Sequence, residues 1–526
     1  MAAASRRSAP RRLGLSGRAG VAVVAAGLGV LSPFAATPAA AQSAPAGSWA
    51  TPPPMNGYDG LPSDTKAPDK PYEQKTDCVK RSLGENVQIN SRPWGQDYLQ
   101  LLKAQEIVRA AKGNVGGNQR VAVVDTGVTR HPWFQGRVEA GGDYVLPAPA
   151  GQAGLQDCDG HGTEVAGIIA GDPKDPKVGF IGVAPDARIV SYRQLSENYG
   201  PKDKNSSPTG GSQPPPSNGG GNPGGTGPQQ GGNNGDSRQI EKGDTAGTLG
   251  SLAQIIRGIA DRGDIGVINM SLDHCRAAPP ADIQPSERQV QAAVKYATDK
   301  GVVIVAAAGN VSDSCPQNDQ SDPNKPKSIV TPPWFSDDVL SVGAIDKDGS
   351  VASFSVHGPW IGVAAPGTEI VSLDPAENST GLANRVITRG TQASPIQGTS
   401  FAAPYVAGVA ALVRQMYPDL DARQVIKRIK TTAQHPAAPG GHDDYVGYGV
   451  IDPVAALTAN LPGDVGNLAT PNPVVQAAQL PPADGISSTP MIVALAGTGG
   501  GLAALLITLF VMHTIRRNRG RSTPPR

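Results

Sequence analysis

Aromatic side chains are scarce, at 4% of the 526 residues, and the formal charges nearly cancel to +1. The first shortage leaves no stacking platform for nucleic-acid bases. The second leaves no net field to gather a highly charged partner, so nucleic acid is not expected. No Asp/Asn-dense loop of the EF-hand kind is present, and His131, His274, His357, His435, His442 and His513 have no partners at metal-ligand spacing. No metal and no cofactor is therefore expected. Cysteine is limited to Cys78, Cys158, Cys275 and Cys315.

What is present is a set of short motifs in a fixed order. Val121-Ala122-Val123-Val124 is an apolar, largely β-branched run that ends in Asp125-Thr126-Gly127. It predicts a strand delivering a carboxylate at its C-terminal end, where α/β sheets present their sites. His161 stands between Gly160 and Gly162, ahead of the small and apolar residues 163–170, a pattern predicting a buried helix start. Ser400 opens a run to Val413 rich in Ala, Val and Gly, which predicts a second helix with its free N–H groups at the serine.

These residue types suit acyl transfer. A serine hydroxyl needs a base within hydrogen-bond reach, and imidazole titrates near neutrality. The base needs a carboxylate to hold its tautomer and stabilise the imidazolium. The run 302–308 predicts a buried strand that ends at Gly309-Asn310, whose amide can donate to an oxyanion beside the Ser400 N–H. Asp, His, Ser in chain order differs from the chymotrypsin and α/β-hydrolase orders.

These blocks resemble the subtilase superfamily of serine proteases. Supporting blocks occur at 182–187, 267–272, 341–346 and 363–367, so the resemblance spans roughly residues 90–457. It implies an α/β, subtilisin-like three-layer fold: a mainly parallel central sheet with helices on both faces. It implies Asp125, His161 and Ser400 as catalytic residues and Asn310 with the Ser400 N–H as oxyanion hole. It also implies that Ser271, Leu272 and Asp273 line the substrate cleft as an extended edge. Ala306, Ala307, Ala308 and Gly309 would wall the primary specificity pocket.

The ends predict location. Arg6, Arg7, Arg11 and Arg12 precede an apolar stretch from about Val21 to Ala36, and Ala39-Ala40-Ala41 follows. This is the pattern of a secretory signal peptide, residues 1–41. Residues 491–512 carry no charge and suffice to cross a ~30 Å hydrocarbon core. Arg516, Arg517, Arg519 and Arg521 follow, which predicts a transmembrane helix over 491–515 and a basic cytoplasmic tail, 516–526. The protease would then be a single-pass cell-membrane protein with its catalytic domain outside and its C-terminus in the cytoplasm.

Between the ends, residues 42–110 form a Pro-rich arm, read either as a wrapping extension or as a propeptide. Residues 111–457 form the catalytic domain, interrupted at 198–244 by a Gly/Pro-rich stretch with the composition of a disordered loop. Residues 458–490 make a Pro/Ala-rich spacer. Four cysteines outside the cytoplasm suit disulfides, and three pairings are open. Cys275 and Cys315 each follow a strand that would end on one side of the parallel sheet, which favours Cys275–Cys315 and leaves Cys78–Cys158. A Cys3His zinc site lacks the spacing, and a catalytic thiol at Cys158 is disfavoured because Ser400 already has a complete partner set.

The layout narrows the resemblance to the mycosins, the membrane-anchored subtilases of actinobacterial type VII secretion. The resemblance implies an endopeptidase acting on a protein or peptide substrate, with processing of type VII secretion substrates as its role. It also implies type VII secretion membrane components as partners. The alternative it leaves is a chiefly structural part in the secretion membrane complex, with minor protease activity.

Overall fold

The computed structural model describes residues 48–85, 87–149, 151–202, 239–241, 245–278, 282–387, 393–461 and 489–519. The expected signal peptide and most of the spacer lie outside these residues. The chain divides into two units, Met1–Leu461 and Pro462–Arg526.

In the first unit, seven strands form one sheet among the described residues: β1 Arg120–Asp125, β2 Val138–Asp143, β3 Arg188–Arg193, β4 Val267–Met270, β5 Val303–Ala307, β6 Val339–Ile345 and β7 Ile361–Pro366. Their order is β7-β6-β5-β4-β1-β3-β2, and every pairing is parallel. Parallel sheets need cover on both faces, so their strands read as continuous apolar runs. β1 illustrates the consequence. Val121 and Val123 pack into one core, and Ala122 and Val124 into the other.

The helices that supply this cover are α1 Leu101–Lys112, α2 His161–Ala170, α3 Leu249–Arg262, α4 Pro285–Asp299, α5 Thr399–Met416, α6 Ala422–Thr432 and α7 Pro453–Thr458. Residues of α1, α2, α5, α6 and α7 share the core of Val121; those of α3 and α4 share the core of Val124. α5 is buried along almost its whole length, which its Ala, Val and Gly content permits. A Cβ on Gly408 would lie 2.5 Å from the Val183 side chain. The α/β fold with helices on both sides of a parallel sheet matches the expected class.

The arm is extended and attached along its length. Trp49 Nε1 donates to the Pro326 carbonyl, Gln291 Nε2 to the Pro53 carbonyl, and Tyr144 Oη to Asp64. Tyr72–Gln74 pairs antiparallel with Tyr199–Pro201, and Lys80–Ser82 with Arg385–Ile387. Tyr199–Pro201 is thus a strand at the start of the stretch expected to be a disordered loop: its side chains carry only composition, while its backbone finds a partner 127 positions away in the arm. The junction expected between residues 110 and 111 falls inside α1, whose Leu101, Ala104 and Val108 are fully buried.

In the second unit, a helix runs Thr489–Arg519. Among the described residues, no helix is long and apolar enough to cross a membrane.

Candidate active site

β1 is the strand at which the sheet order changes direction, between β3 and β4. The carboxyl ends of strands at such a point form a natural crevice. Asp125 is the last residue of β1 and is fully buried. Its Oδ1 accepts from the Thr126 N–H at 2.8 Å and lies 2.7 Å from His161 Nδ1. A carboxylate so fixed selects the imidazole tautomer with hydrogen on Nδ1 and directs Nε2 away from it.

His161 is the first residue of α2. The turn that places it needs two glycines. Gly127 has φ +106°, and a Cβ there would meet the Gln156 carbonyl at 2.0 Å. A Cβ on Gly162 would meet the Gly127 carbonyl at 2.1 Å. The two backbones approach more closely than any side chain permits, which brings α2 onto the end of β1.

A carboxylate that sequence reading passed over fastens the same approach. Asp157 Oδ1 accepts from Thr126 Oγ1 at 2.7 Å and from the Gly160 N–H at 2.8 Å. Its Oδ2 accepts from Thr163 N and Oγ1 at 2.8 and 2.6 Å. Thr126 Oγ1 in turn accepts from the Gly162 N–H at 2.9 Å. Asp157 thereby ties the residue after Asp125 to both sides of His161. An Asp four residues before the histidine was the available signal, but it reads equally well as a turn residue.

Ser400 is the second residue of α5 and is buried. Phe401, beside it, packs its ring 5.0 Å from the His161 ring. The Ser400 carbonyl accepts from Ser271 Oγ at 2.6 Å, and Ser271 Oγ accepts from Asn269 Nδ2 at 2.9 Å. The hydroxyl of Ser271, a residue expected at the cleft edge, is thus spent on anchoring the helix that carries Ser400. Asn310 follows β5 and is buried. Its Oδ1 accepts from both Thr399 N and Thr399 Oγ1 at 3.0 Å, and Thr399 Oγ1 accepts from the Gly309 N–H at 3.2 Å. Thr399 therefore sets the orientation of the Asn310 amide, with Nδ2 on the opposite branch. Ala306, Ala307 and Ala308, expected to wall the primary specificity pocket, are fully buried, backbone included.

The arm reaches this site. Cys78 and Cys158 form a disulfide with Cα atoms 4.5 Å apart, and Cys275 and Cys315 form the second, 5.6 Å apart. Arg81 Nε donates to Glu164 Oε1 at 2.6 Å, and Nη2 donates to the Asp159 carbonyl at 2.9 Å. Both side chains of this ion pair are fully buried. Next to the Asp125 turn, His131 is buried and accepts at Nδ1 from the Trp133 N–H. Burial lowers its imidazole pKa from 6.5 to about 4. Among the described residues, no group of three or more His, Cys, Asp and Glu is placed to hold a metal ion.

A carboxylate–imidazole pair, a serine at a helix start and an amide beside it together can perform nucleophilic acyl transfer. The profile described as "Subtilase family" matches residues 116–449. Mycosin-1 of Mycobacterium tuberculosis (strain ATCC 25618 / H37Rv) is 40% identical over 424 residues, covering 78% of this chain and 83% of that protein. The structure of the serine protease MycP1, described as an essential component of the type VII (ESX-1) secretion system, superposes with a TM-score of 0.63 at 39% identity. It covers 77% of this chain and 99% of that one. A chain in an intact ESX-5 inner membrane complex superposes with a TM-score of 0.63 at 34% identity, covering 89% of this chain and 100% of that one.

Proposed function

Because the chain belongs to the subtilase family of serine proteases, and within it to the mycosins, we propose that Asp125, His161 and Ser400 are its catalytic triad and that it cleaves proteins secreted by a type VII system. The observation that carries this reading is the buried His161 Nδ1–Asp125 Oδ1 contact of 2.7 Å at the carboxyl end of β1, with Phe401 holding the Ser400 end of α5 against the same imidazole.

The chemistry follows from the groups. Ser400 Oγ attacks the scissile carbonyl while His161 Nε2 takes its proton. Asp125 keeps Nδ1 protonated and stabilises the imidazolium, which then protonates the leaving amine. The carbonyl oxygen, now an anion, receives hydrogen bonds from Asn310 Nδ2 and from the Ser400 N–H at the positive end of α5. Water releases the acyl group by the same steps in reverse, with His161 as base.

In this reading the catalytic domain acts outside the membrane and the segment 491–512 anchors it, although the described part of that helix is by itself not long and apolar enough to cross. Support comes from the uncharged run 491–512, the arginines at 516–521 and the exposure of Leu505, Leu506, Ile507, Leu509 and Phe510 on the helix. A second role, as a component of the secretion membrane complex, is favoured by the similarity to a chain of the intact ESX-5 inner membrane complex.

Fluorophosphonate labelling tests the first reading: the wild type labels and Ser400→Ala does not. An unlabelled wild type would sink it. The second role is tested in cells, where secretion that survives Ser400→Ala but fails on loss of the whole protein supports it. Secretion that survives both removes it.

A further inference from the structure

The cleft edge implied by the family resemblance is already paired by the chain itself. Ser271 and Asp273 lie two residues apart beyond β4, so in extended backbone their main-chain groups face the same side. A free edge of this kind binds a peptide as an added strand, through main-chain hydrogen bonds. At Asp273 that place is taken. The Ile240 N–H donates to the Asp273 carbonyl at 2.6 Å, and Gln239 bridges Asp273 in parallel register.

Several contacts hold this segment down. Gln239 Nε2 donates to Ser312 Oγ at 3.4 Å, and Gln239 Oε1 accepts from Ser314 Oγ at 3.0 Å. Ser312 and Ser314 follow Asn310, so Gln239 joins the cleft edge to the loop beyond the oxyanion residue. Ile240 is 2% exposed and shares a core with Leu272. Glu241 Oε1 accepts from the N–H of Leu249, the first residue of α3. Displacing the segment would expose Ile240 and break each of these bonds.

The geometry also tells which part of a substrate is affected. Ser271 bonds to the Ser400 carbonyl, so it lies nearest the nucleophile. Asp273 Oδ2 sits 3.3 Å from where a Cβ on Gly309 would stand, at the wall of the primary specificity pocket. By the subtilase resemblance, an edge beside the primary specificity pocket serves residues that precede the scissile bond.

We infer that Gln239–Glu241 is a fixed stop that determines specificity: it closes the cleft edge at Asp273, so peptide residues farther before the scissile bond gain nothing from that edge. This rests on the protease reading above. The substrates it fits are exposed peptide segments recognised over a short stretch rather than long extended strands.

The test uses the intact protein and a peptide series lengthened one residue at a time before the scissile bond. For the wild type, kcat/KM changes less than about twofold as residues are added beyond the primary specificity pocket. Gln239→Ala and Ile240→Gly restore a length dependence of about tenfold, the value of two further main-chain hydrogen bonds. A tenfold rise in the wild type overturns the inference, and so does a flat series in both variants. Hydrogen exchange of the Ile240 amide gives a second readout that needs no catalysis: exchange as slow as in β4 supports the stop, and exchange at the rate of unstructured chain overturns it. Loss of labelling by fluorophosphonate would sink the protease reading alone, because the exchange measurement still decides whether the segment is fixed.

Discussion

An Arg81→Met substitution strips a buried carboxylate of its cation. Arg81 and Glu164 have fully buried side chains and a contact of 2.6 Å, and Arg81 also donates to the Asp159 carbonyl. Breaking one partner of such a pair costs about 3–5 kcal/mol, because the remaining charge stays desolvated. Against a typical stability of about 5–15 kcal/mol this is a large fraction. Glu164 lies one turn beyond His161 in α2, and Asp159 precedes the histidine by two residues. The cost therefore falls on the segment that carries the imidazole, and activity is lost at lower denaturant than in the wild type. Equilibrium urea unfolding measures the cost. Arg81→Met combined with Glu164→Gln, which removes the stranded charge, recovers much of the loss. The reasoning is refuted if Arg81→Met stays within about 1 kcal/mol of wild type, or if the two substitutions simply add. The same pair argues that the arm completes the catalytic unit: a chain without it leaves Glu164 without this partner.

Asn310→Ala lowers kcat roughly 10²–10³-fold with KM little changed, since the lost hydrogen bond forms chiefly in the transition state; steady-state kinetics on a peptide substrate checks this. Gly162→Ala places a Cβ 2.1 Å from the Gly127 carbonyl, so α2 must shift away from Asp125 and both labelling rate and thermal midpoint fall. His131 sets a pH dependence. Its folded pKa is near 4, against 6.5 for the ordinary imidazole. Above pH 6.5 it contributes nothing; as the pH falls from 6.5 towards 4 the unfolded chain takes up a proton that the folded chain refuses, so stability declines. Urea midpoints across that range decline less in His131→Gln.

How far the site could be read in advance depended on range along the chain. Val121–Asp125, His161 and Ser400 carry their signals locally, as an apolar run ending in a carboxylate and as helix starts beside glycine. Asp157 and Thr399 had no such signal, because their roles exist only through contacts with Thr126, Thr163 and Asn310. The hydroxyl of Ser271 turned from substrate towards the Ser400 carbonyl for the same reason. Gln239 and Ile240 sit at the exit of a stretch whose composition says only that it is polar and Gly-rich, and their pairing with Asp273 is a meeting of distant backbones.

Local residue patterns alone carried the serine-protease class and the parallel sheet. Residue chemistry in the order Asp125, His161, Ser400 pointed to acyl transfer, and unbroken apolar runs pointed to strands covered on both faces. Tertiary structure decided what surrounds that chemistry: which carboxylate fastens the histidine loop, that Arg81 of the arm neutralises Glu164 beneath it, and that Ile240 occupies the cleft edge. Those outcomes depend on main-chain groups and buried charges finding partners far away in the chain, and neither a backbone N–H nor the need of a buried ion for its counterion is written in any local pattern.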